Sequence, residues 1–212
     1  MDSTIKDQRE NVVKDSIRTI NLYMFSDVLN TTGNYSEKDI MLFEKEVKFR
    51  QVHKDEVLLT IGEVAKSVFF ILKGAIYQYS LKSAIEYHII DLHLENEWLL
   101  NHKSFVSQTP SNCFIGAFTE SEILEISIDS IHYLIGQSPA FFQLNKILEH
   151  STSRVYFFDN SLTPLQKYQF IFENKPQLLQ KFPLKIIASF LKITPETLSR
   201  VREKFAKNKF NS

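Results

Sequence analysis

The sequence predicts an α+β protein with three parts in succession: a β sandwich or barrel, one long helix, and a terminal pair of short helices. In residues 47–128, apolar residues recur at a period of two in short runs separated by turn residues, which is typical of a sandwich or barrel. Residues 138–160 change to a helical period, and residues 182–205 contain two helical segments around a short turn. The expected domains are residues 1–137, 138–160 and 161–212.

Two helices are predicted before the strands. They cover residues 10–30 and 36–46, and Ser36 is the expected N-cap of the second. Gly62 and Gly74 stand where a strand must turn or bulge. The predicted strands are residues 57–61, 68–72, 75–81, 87–92, 114–118 and 123–128.

The predicted long helix over residues 138–160 carries an apolar seam that must be covered. Such a seam packs either on the β-domain of its own chain or against the same helix of a second copy. The helix ends at Asn160 and Ser161, where we expect the hinge between domains. The seam consists of Phe141, Leu144, Ile147, Leu148, Val155 and Phe158.

The formal net charge of zero hides a division along the chain. Residues 1–160 carry 15 basic and 22 acidic side chains, a net charge of −7. Residues 161–212 carry 10 basic and 3 acidic ones, a net charge of +7. A basic end of this kind is expected of a surface that neutralises phosphates, although basic ends also serve solubility alone.

The composition excludes several classes of protein. Because Cys113 is the only cysteine, an intramolecular disulfide and an all-cysteine metal or iron–sulfur site are ruled out. No apolar run approaches the roughly 20 residues of a membrane helix. Residues 1–11 are polar and charged, unlike a signal peptide. We therefore expect a cytoplasmic protein without membrane contact, metal or other cofactor.

The last predicted helix is amphipathic. Thr194 can cap it, Pro195 suits its first position, and Glu196 places negative charge in its first turn. At roughly 100° per residue, Glu196 and Arg200 point away from the apolar stripe. A polar face of this composition can read base edges and phosphates of duplex DNA, but a Glu–Arg pair at this spacing also stabilises any exposed helix. The stripe consists of Leu198, Val201 and Phe205.

The preceding helix makes the DNA interpretation more specific. Its small Ala188 allows a second helix to cross closely, and a turn of three residues, 192–194, joins the two, as in helix-turn-helix units. Its apolar stripe consists of Leu184, Ile187, Ala188 and Leu191.

Residues 187–205, IASFLKITPETLSRVREKF, resemble the C-terminal helix-turn-helix of the Crp-Fnr superfamily of bacterial transcription regulators. The words IAS-x-L and ITPETLSR-x-R carry the resemblance. It implies that Glu196 and Arg200 read base edges, and that a wing follows, for which few residues remain after Phe205. Lys192 departs from the family, whose turn usually carries glycine. The predicted DNA-binding residues are Glu196, Thr197, Ser199, Arg200, Arg202, Lys204, Lys185 and Lys192.

Residues 60–76, TIGEVAKSVFFILKGAI, resemble the opening of the jelly roll in cyclic-nucleotide-binding domains, so the resemblance covers nearly the whole chain. It implies that the predicted strands form a β jelly roll (double-stranded β-helix). Effector-binding members of that family use a Gly-Glu pair and, downstream, an arginine followed by Ser or Thr. Residues 96–98, Asn-Glu-Trp, stand in the first place and residues 110–112, Pro-Ser-Asn, in the second. No arginine lies between Arg50 and Arg154.

A buried phosphate without a cationic partner is costly, so we expect no useful affinity for cAMP. Glu97 is then either a remnant ribose contact or an ordinary loop carboxylate. An uncharged or hydrophobic effector would need an aromatic lining, for which the candidates are Trp98, Phe105, Phe114 and Phe118, although such residues are also typical of a core. The candidate effector-pocket residues are Glu97, Trp98, Ser111 and Asn112.

The resemblance implies a non-catalytic regulator that binds a pseudo-palindromic operator as a homodimer. Its partners would be double-stranded DNA, a second copy, RNA polymerase and a small-molecule effector of unknown identity. The alternative is a ligand-sensing or protein-interaction module whose DNA-binding end is degenerate. A cupin-type metal enzyme is disfavoured, because the spacing of five between His88 and His93 would put them on opposite faces of a regular strand.

Overall fold

The computed structural model of the chain describes residues 24–83, 86–156 and 162–210. Residues 10–23 of the first predicted helix and Phe158 of the predicted seam lie outside these ranges, as does the side chain of Val155. The elements in order are α1 (residues 24–30), α2 (Glu37–Glu46), β1 (Lys48–Val52), β2 (Val57–Leu59), β3 (Ser67–Lys73), β4 (Ala75–Ser83), β5 (Glu86–Leu94), β6 (Trp98–Leu99), α3 (His102–Ser107), β7 (Phe114–Ala117), β8 (Ser121–Ser127), α4 (Ile128–Gln137), a 3-10 helix (Pro139–Leu144), α5 (Asn145–Tyr156), α6 (Pro164–Asn174), α7 (Pro176–Lys181), α8 (Leu184–Phe190) and α9 (Pro195–Phe210).

The chain divides into two compact units, one of residues 1–48 and 126–147 and one of residues 49–125 and 148–212. In the first unit, Ser36 caps α2 as the sequence predicts. The Ser36 hydroxyl accepts from the Asp39 backbone N–H at 3.3 Å, and the Asp39 carboxylate accepts from the Ser36 N–H at 3.0 Å. This capping box satisfies two N–H groups that the helix leaves without partners.

The prediction of one continuous helix over residues 138–160 is wrong at its start, because a 3-10 helix precedes α5. A 3-10 helix places residues i and i+3 on one side. Phe141 and Leu144, three apart, are both buried within the first unit. The Phe141 ring lies 5.6 Å from that of Tyr35, and the Gln143 side chain donates to the Asn34 carbonyl at 2.9 Å. Tertiary contacts of this first turn therefore override the helical period.

The described strands form two four-stranded sheets, ordered β1-β8-β3-β6 and β2-β7-β4-β5. All six predicted strands are confirmed, with ends that shift by a few residues. β1 and β6 were not predicted, since β1 buries only Val52 and β6 has two residues. Gly74 joins β3 to β4 at φ +102°, and a Cβ there would lie 2.7 Å from the Glu120 carbonyl oxygen. Only glycine fits that turn.

A β-bulge in β5 corrects the argument about the histidines. Asp91 pairs with Gln78 and Ile89 with Tyr79, so Ile90 is an extra residue without a partner on β4. His88 therefore pairs with Ser80 and His93 with Ile76, four residues apart on β4, which places both histidines on the same side of the sheet. His88 is nevertheless exposed and His93 buried. Within the described ranges no group of three His, Cys, Asp or Glu side chains is placed to hold a metal ion.

Helices α6 to α9, called the C-terminal helices below, pack on the outer face of the β2-β7-β4-β5 sheet. A single apolar cluster joins them to that sheet. Tyr77 and Tyr79 of β4 stack at 4.5 Å between ring centroids, and the Phe118 ring lies 4.7 Å from that of Phe182. None of the helices in the described part of the chain is long and apolar enough to cross a membrane.

Candidate functional site

The turn between α8 and α9 is a Schellman motif. Lys192, just past the end of α8, has φ +57°. The Ile193 N–H donates to the Ala188 carbonyl at 3.0 Å, and the Lys192 N–H donates to that of Ser189 at 3.0 Å. These two bonds satisfy carbonyls at the end of α8 and set the direction in which α9 begins. A lysine thus holds the left-handed position that usually favours glycine.

Replacing Lys192 by glycine should raise the free energy of unfolding by about 0.5–1 kcal/mol, since the gain from relieving the left-handed conformation exceeds the added entropy of the unfolded chain. Urea denaturation measures the change. Lys192→Ala is the matched control, because it removes the same charge and keeps the Cβ at positive φ. A glycine variant no more stable than the alanine variant would contradict this account.

Thr194 caps α9 as the sequence predicts. Its hydroxyl accepts from the Thr197 N–H at 3.2 Å. A hydrogen bond from the backbone N–H of Glu196 itself and one from the Thr194 hydroxyl hold the pKa of the Glu196 carboxyl below its usual range, and the positive charge of Arg200 acts in the same direction. Glu196 is therefore a charged acceptor at the start of a 16-residue helix.

The apolar stripe of α9 faces inward. Leu198 and Val201 are buried, and the Phe205 ring lies 5.5 Å from that of Tyr168 and 4.9 Å from that of Phe172. In α8, Ile187, Ala188 and Leu191 are fully buried, but Leu184 of the predicted stripe is 41% exposed. Apart from the half-buried Thr197, the predicted DNA-binding residues are exposed: Glu196, Ser199, Arg200, Arg202, Lys204, Lys185 and Lys192.

Sequence reasoning missed a buried lysine that supports this turn. Lys167 of α6 is 5% exposed, and its Nζ donates to the Leu191 carbonyl at 3.2 Å. A cation at the carboxyl end of α8 is favoured by the helix dipole and completes the end of that helix. Its position among the apolar residues of α6 is the only signal in the sequence.

The residues that follow Phe205 continue α9 to Phe210. No strand of a wing lies among the residues after Phe205 that the structure describes. The predicted wing therefore has no counterpart in this part of the chain.

Three of the four candidate effector-pocket residues contact different neighbours, and the fourth, Asn112, is exposed. The Glu97 carboxylate accepts from Lys175 Nζ at 2.7 Å, and the Trp98 ring packs against that of Phe70 at 5.0 Å. Ser111 is buried, and Asn112 is exposed.

Ser111 belongs to a polar network inside the jelly roll. Asn101 Nδ2 donates to Ser111 Oγ at 2.8 Å and to Cys113 Sγ at 3.1 Å. Gln78 Nε2 donates to the Leu100 carbonyl at 3.0 Å, and burial raises the pKa of the Cys113 thiol. In the described residues every buried side-chain nitrogen and oxygen has a hydrogen-bond partner. The network holds neither arginine nor lysine.

The aromatic lining proposed for a hydrophobic effector is divided between the two sheets. Trp98 lies in β6 of one sheet, whereas Phe114 of β7 stacks on Tyr79 of the other at 5.1 Å. Phe118 contacts the C-terminal helices through Phe182. Phe114 and Phe118 thus pack in the apolar cluster with the C-terminal helices, whereas Trp98 packs on Phe70 and Phe105 is buried in α3, so the four do not share one environment.

A polar cavity of about 500 Å³ lies between α7 and the turn of residues 94–97. Its lining includes Glu95, Glu97, Lys175 and Lys181. The Glu95 carboxylate accepts from the Gly74 N–H at 3.0 Å, so it is held by the jelly roll itself.

The sequence matches the family described as "Cyclic nucleotide-binding domain" over residues 49–138. No curated protein is significantly similar to the chain in sequence. The structure resembles FixK2 from Bradyrhizobium japonicum, with a TM-score of 0.60, 17% identity, and coverage of 77% of this chain and 86% of that one. For a mutant of CooA from Carboxydothermus hydrogenoformans the TM-score is 0.61 and the sequence identity 19%, with coverage of 85% of this chain and 83% of that one. For the Thermus thermophilus Catabolite Activator Protein the TM-score is 0.52 and the sequence identity 14%, with coverage of 87% of this chain and 88% of that one.

These similarities extend over most of the chain, but at this low sequence identity they show a shared fold only. The family match identifies the jelly roll independently of them. The predicted resemblance is thereby confirmed as one of fold: residues 49–138 match the cyclic nucleotide-binding domain family, and the chain shares the fold of these three proteins over most of its length.

Proposed function

We propose that the chain is a transcription regulator that binds a pseudo-palindromic DNA operator as a homodimer and acts without catalysis. The observation that carries this proposal is the exposed polar face of α9 with Glu196 and Arg200, together with the exposed cations Lys185 of α8 and Lys192 of the turn. The structural similarity to a catabolite activator protein supports it.

Each residue of this face has a chemical role in the proposal. Arg200 can donate two hydrogen bonds to a guanine edge, and Glu196 can accept from a cytosine amino group. Thr197, Ser199 and Arg202 supply phosphate or further base contacts. Phosphate neutralisation by the remaining cations sets overall affinity. These cations are Lys185, Lys192 and Lys204.

The proposed dimer rests on α5, in which Leu148 is half-buried, whereas Ile147 of the seam is already buried within its own chain. In this proposal the helix pairs with its twin, and residues 161–212 form a DNA-binding domain attached to a jelly-roll domain of residues 1–137. Two such domains would contact half-sites about one helical turn, ~34 Å, apart.

A selection of genomic fragments with the purified full chain tests the proposal. We expect a recovered two-fold sequence motif, and affinity that falls steeply with salt because counterions are released from the phosphates. Failure to retain any fragment, or binding that is insensitive to salt, would instead favour a ligand-sensing or protein-interaction module with a degenerate DNA-binding end.

Isothermal titration with cAMP should give no dissociation constant below the millimolar range, where the binding free energy is about −4 kcal/mol. The polar network around Asn101 and Ser111 is satisfied by protein partners and offers no arginine to a phosphate. A cAMP-binding member of the family serves as the positive control. Micromolar affinity would show that the chain provides a phosphate partner elsewhere and would overturn this prediction.

A further inference from the structure

An ion pair connects the turn of residues 94–97 to the C-terminal helices. Lys175, which precedes α7, places its Nζ 2.7 Å from Glu97 Oε1. The two side chains are 34% and 19% exposed, so the pair is partly shielded from water. A short bond between two charged groups has a more defined geometry than an apolar contact.

Glu97 is itself anchored in the jelly roll. Its second oxygen, Oε2, accepts from the Leu94 N–H at 3.2 Å and lies 3.7 Å from His93 Nδ1. One oxygen of the carboxylate is thus oriented by the turn that carries it, and the other by Lys175. In the effector-binding members of the resembled family this position contacts a ribose. Here Glu97 bonds instead to Lys175, between α6 and α7 of the same chain.

A second polar contact fixes α8 on β5. The Ile89 N–H donates to Ser189 Oγ at 3.0 Å, and the Ser189 hydroxyl donates to the Tyr87 carbonyl at 3.2 Å. One hydroxyl therefore occupies both a donor and an acceptor of the strand backbone. A shift of α8 along β5 by one residue would break both bonds.

The apolar cluster between the sheet and the C-terminal helices is held by a non-directional driving force. The two polar contacts add a directional constraint, because hydrogen bonds require defined distances and angles. We propose that Glu97, through Lys175, and Ser189 are positioning residues that hold α9 in a fixed place for DNA binding. This inference rests on the proposed function.

Fixing α9 matters because a dimer must reach two half-sites at once. When the C-terminal helices of both copies are held in place, the second α9 meets its half-site at a high effective concentration. When they are loose, that effective concentration falls and the operator is bound more weakly. Loosening the C-terminal helices should therefore lower the affinity for an operator with two half-sites and leave the affinity for a single half-site unchanged.

The test uses the full chain with Glu97→Gln, Lys175→Met, the double variant, and Ser189→Ala. Binding is titrated on a complete operator, on a single half-site, and on operators whose half-sites are moved from their separation of about 10 base pairs. We expect each variant to bind the complete operator about tenfold more weakly, to bind the half-site normally, and to tolerate altered spacing better. The double variant should be no weaker than either single variant.

Glu95→Gln is the matched control, since that carboxylate lines the same cavity but bonds within the jelly roll. It should leave both affinities unchanged. Unchanged binding of the complete operator by all variants, or equal losses on the operator and the half-site, would overturn the inference.

A measurement without DNA separates this inference from the proposed function. Hydrogen exchange at the Ile89 amide should accelerate in Ser189→Ala and in Lys175→Met, and stay as in the parent in Glu95→Gln. If the chain binds no DNA but exchange at the Ile89 amide accelerates in the two variants, the proposed function fails and the positioning contacts are supported. If the Ile89 amide is unaffected in both variants, the positioning contact itself is refuted.

Discussion

Arg200→Ala should weaken binding to the selected operator by about 1–3 kcal/mol and relax the preference for one base pair of each half-site. The Arg200 guanidinium is exposed on α9, four residues after Glu196, and is the side chain of that face best suited to bidentate contact with a guanine. Fluorescence anisotropy on the operator, and on probes with each half-site base pair changed in turn, measures both effects.

Lys185→Ala provides the contrast. This exposed lysine of α8 is assigned to the phosphates, so its loss should weaken all sequences alike and reduce the slope of affinity against salt by about one. An Arg200 variant that weakened every probe equally would show that Arg200 contacts only the backbone, and the assignment of α9 as the reading helix would be wrong.

Leu198→Ala should lower the free energy of unfolding by about 2–5 kcal/mol, because truncating a fully buried leucine loses transfer free energy and leaves a cavity. Leu198 is 0% exposed in the cluster that joins α9 to α8 and to the outer face of the sheet. Urea denaturation followed by circular dichroism, and by the fluorescence of the single tryptophan, Trp98, measures the loss.

Leu184→Ala makes the same chemical change at a position that the sequence assigned to the buried stripe and the structure leaves exposed. It should change the free energy of unfolding by no more than about 0.5 kcal/mol. Equal losses for the two variants would mean that α8 turns a different face to its neighbours.

Local signals account for most of what the sequence predicted correctly. Ser36 and Thr194 form the expected caps, because a hydroxyl just before a helix can accept from a free N–H of its first turn. The alternation of apolar residues located all six predicted strands, since each strand buries one or both faces. The exposed face of α9 also follows from its period alone.

The errors lie where distant residues decide the local structure. Phe141 and Leu144 are buried through a 3-10 turn that a helical period does not distinguish from the helix after it. The bulge at Ile90 reverses the alternation of β5, and no residue of that strand signals it. The partner of Glu97 could not be predicted either, because Lys175 is 78 residues away and alternation cannot say what covers the outer face of a sheet.

The contact of Ser189 with the strand also has a consequence for self-association. β5 is the last strand of its sheet, so its outer N–H and C=O groups form an unpaired edge to which another strand can add. The Ser189 hydroxyl blocks this edge at Ile89 and Tyr87. Release of α8 would expose this edge, and a strand of another chain could then pair with it. A signal that frees the C-terminal helices would therefore also make the released state more prone to aggregation.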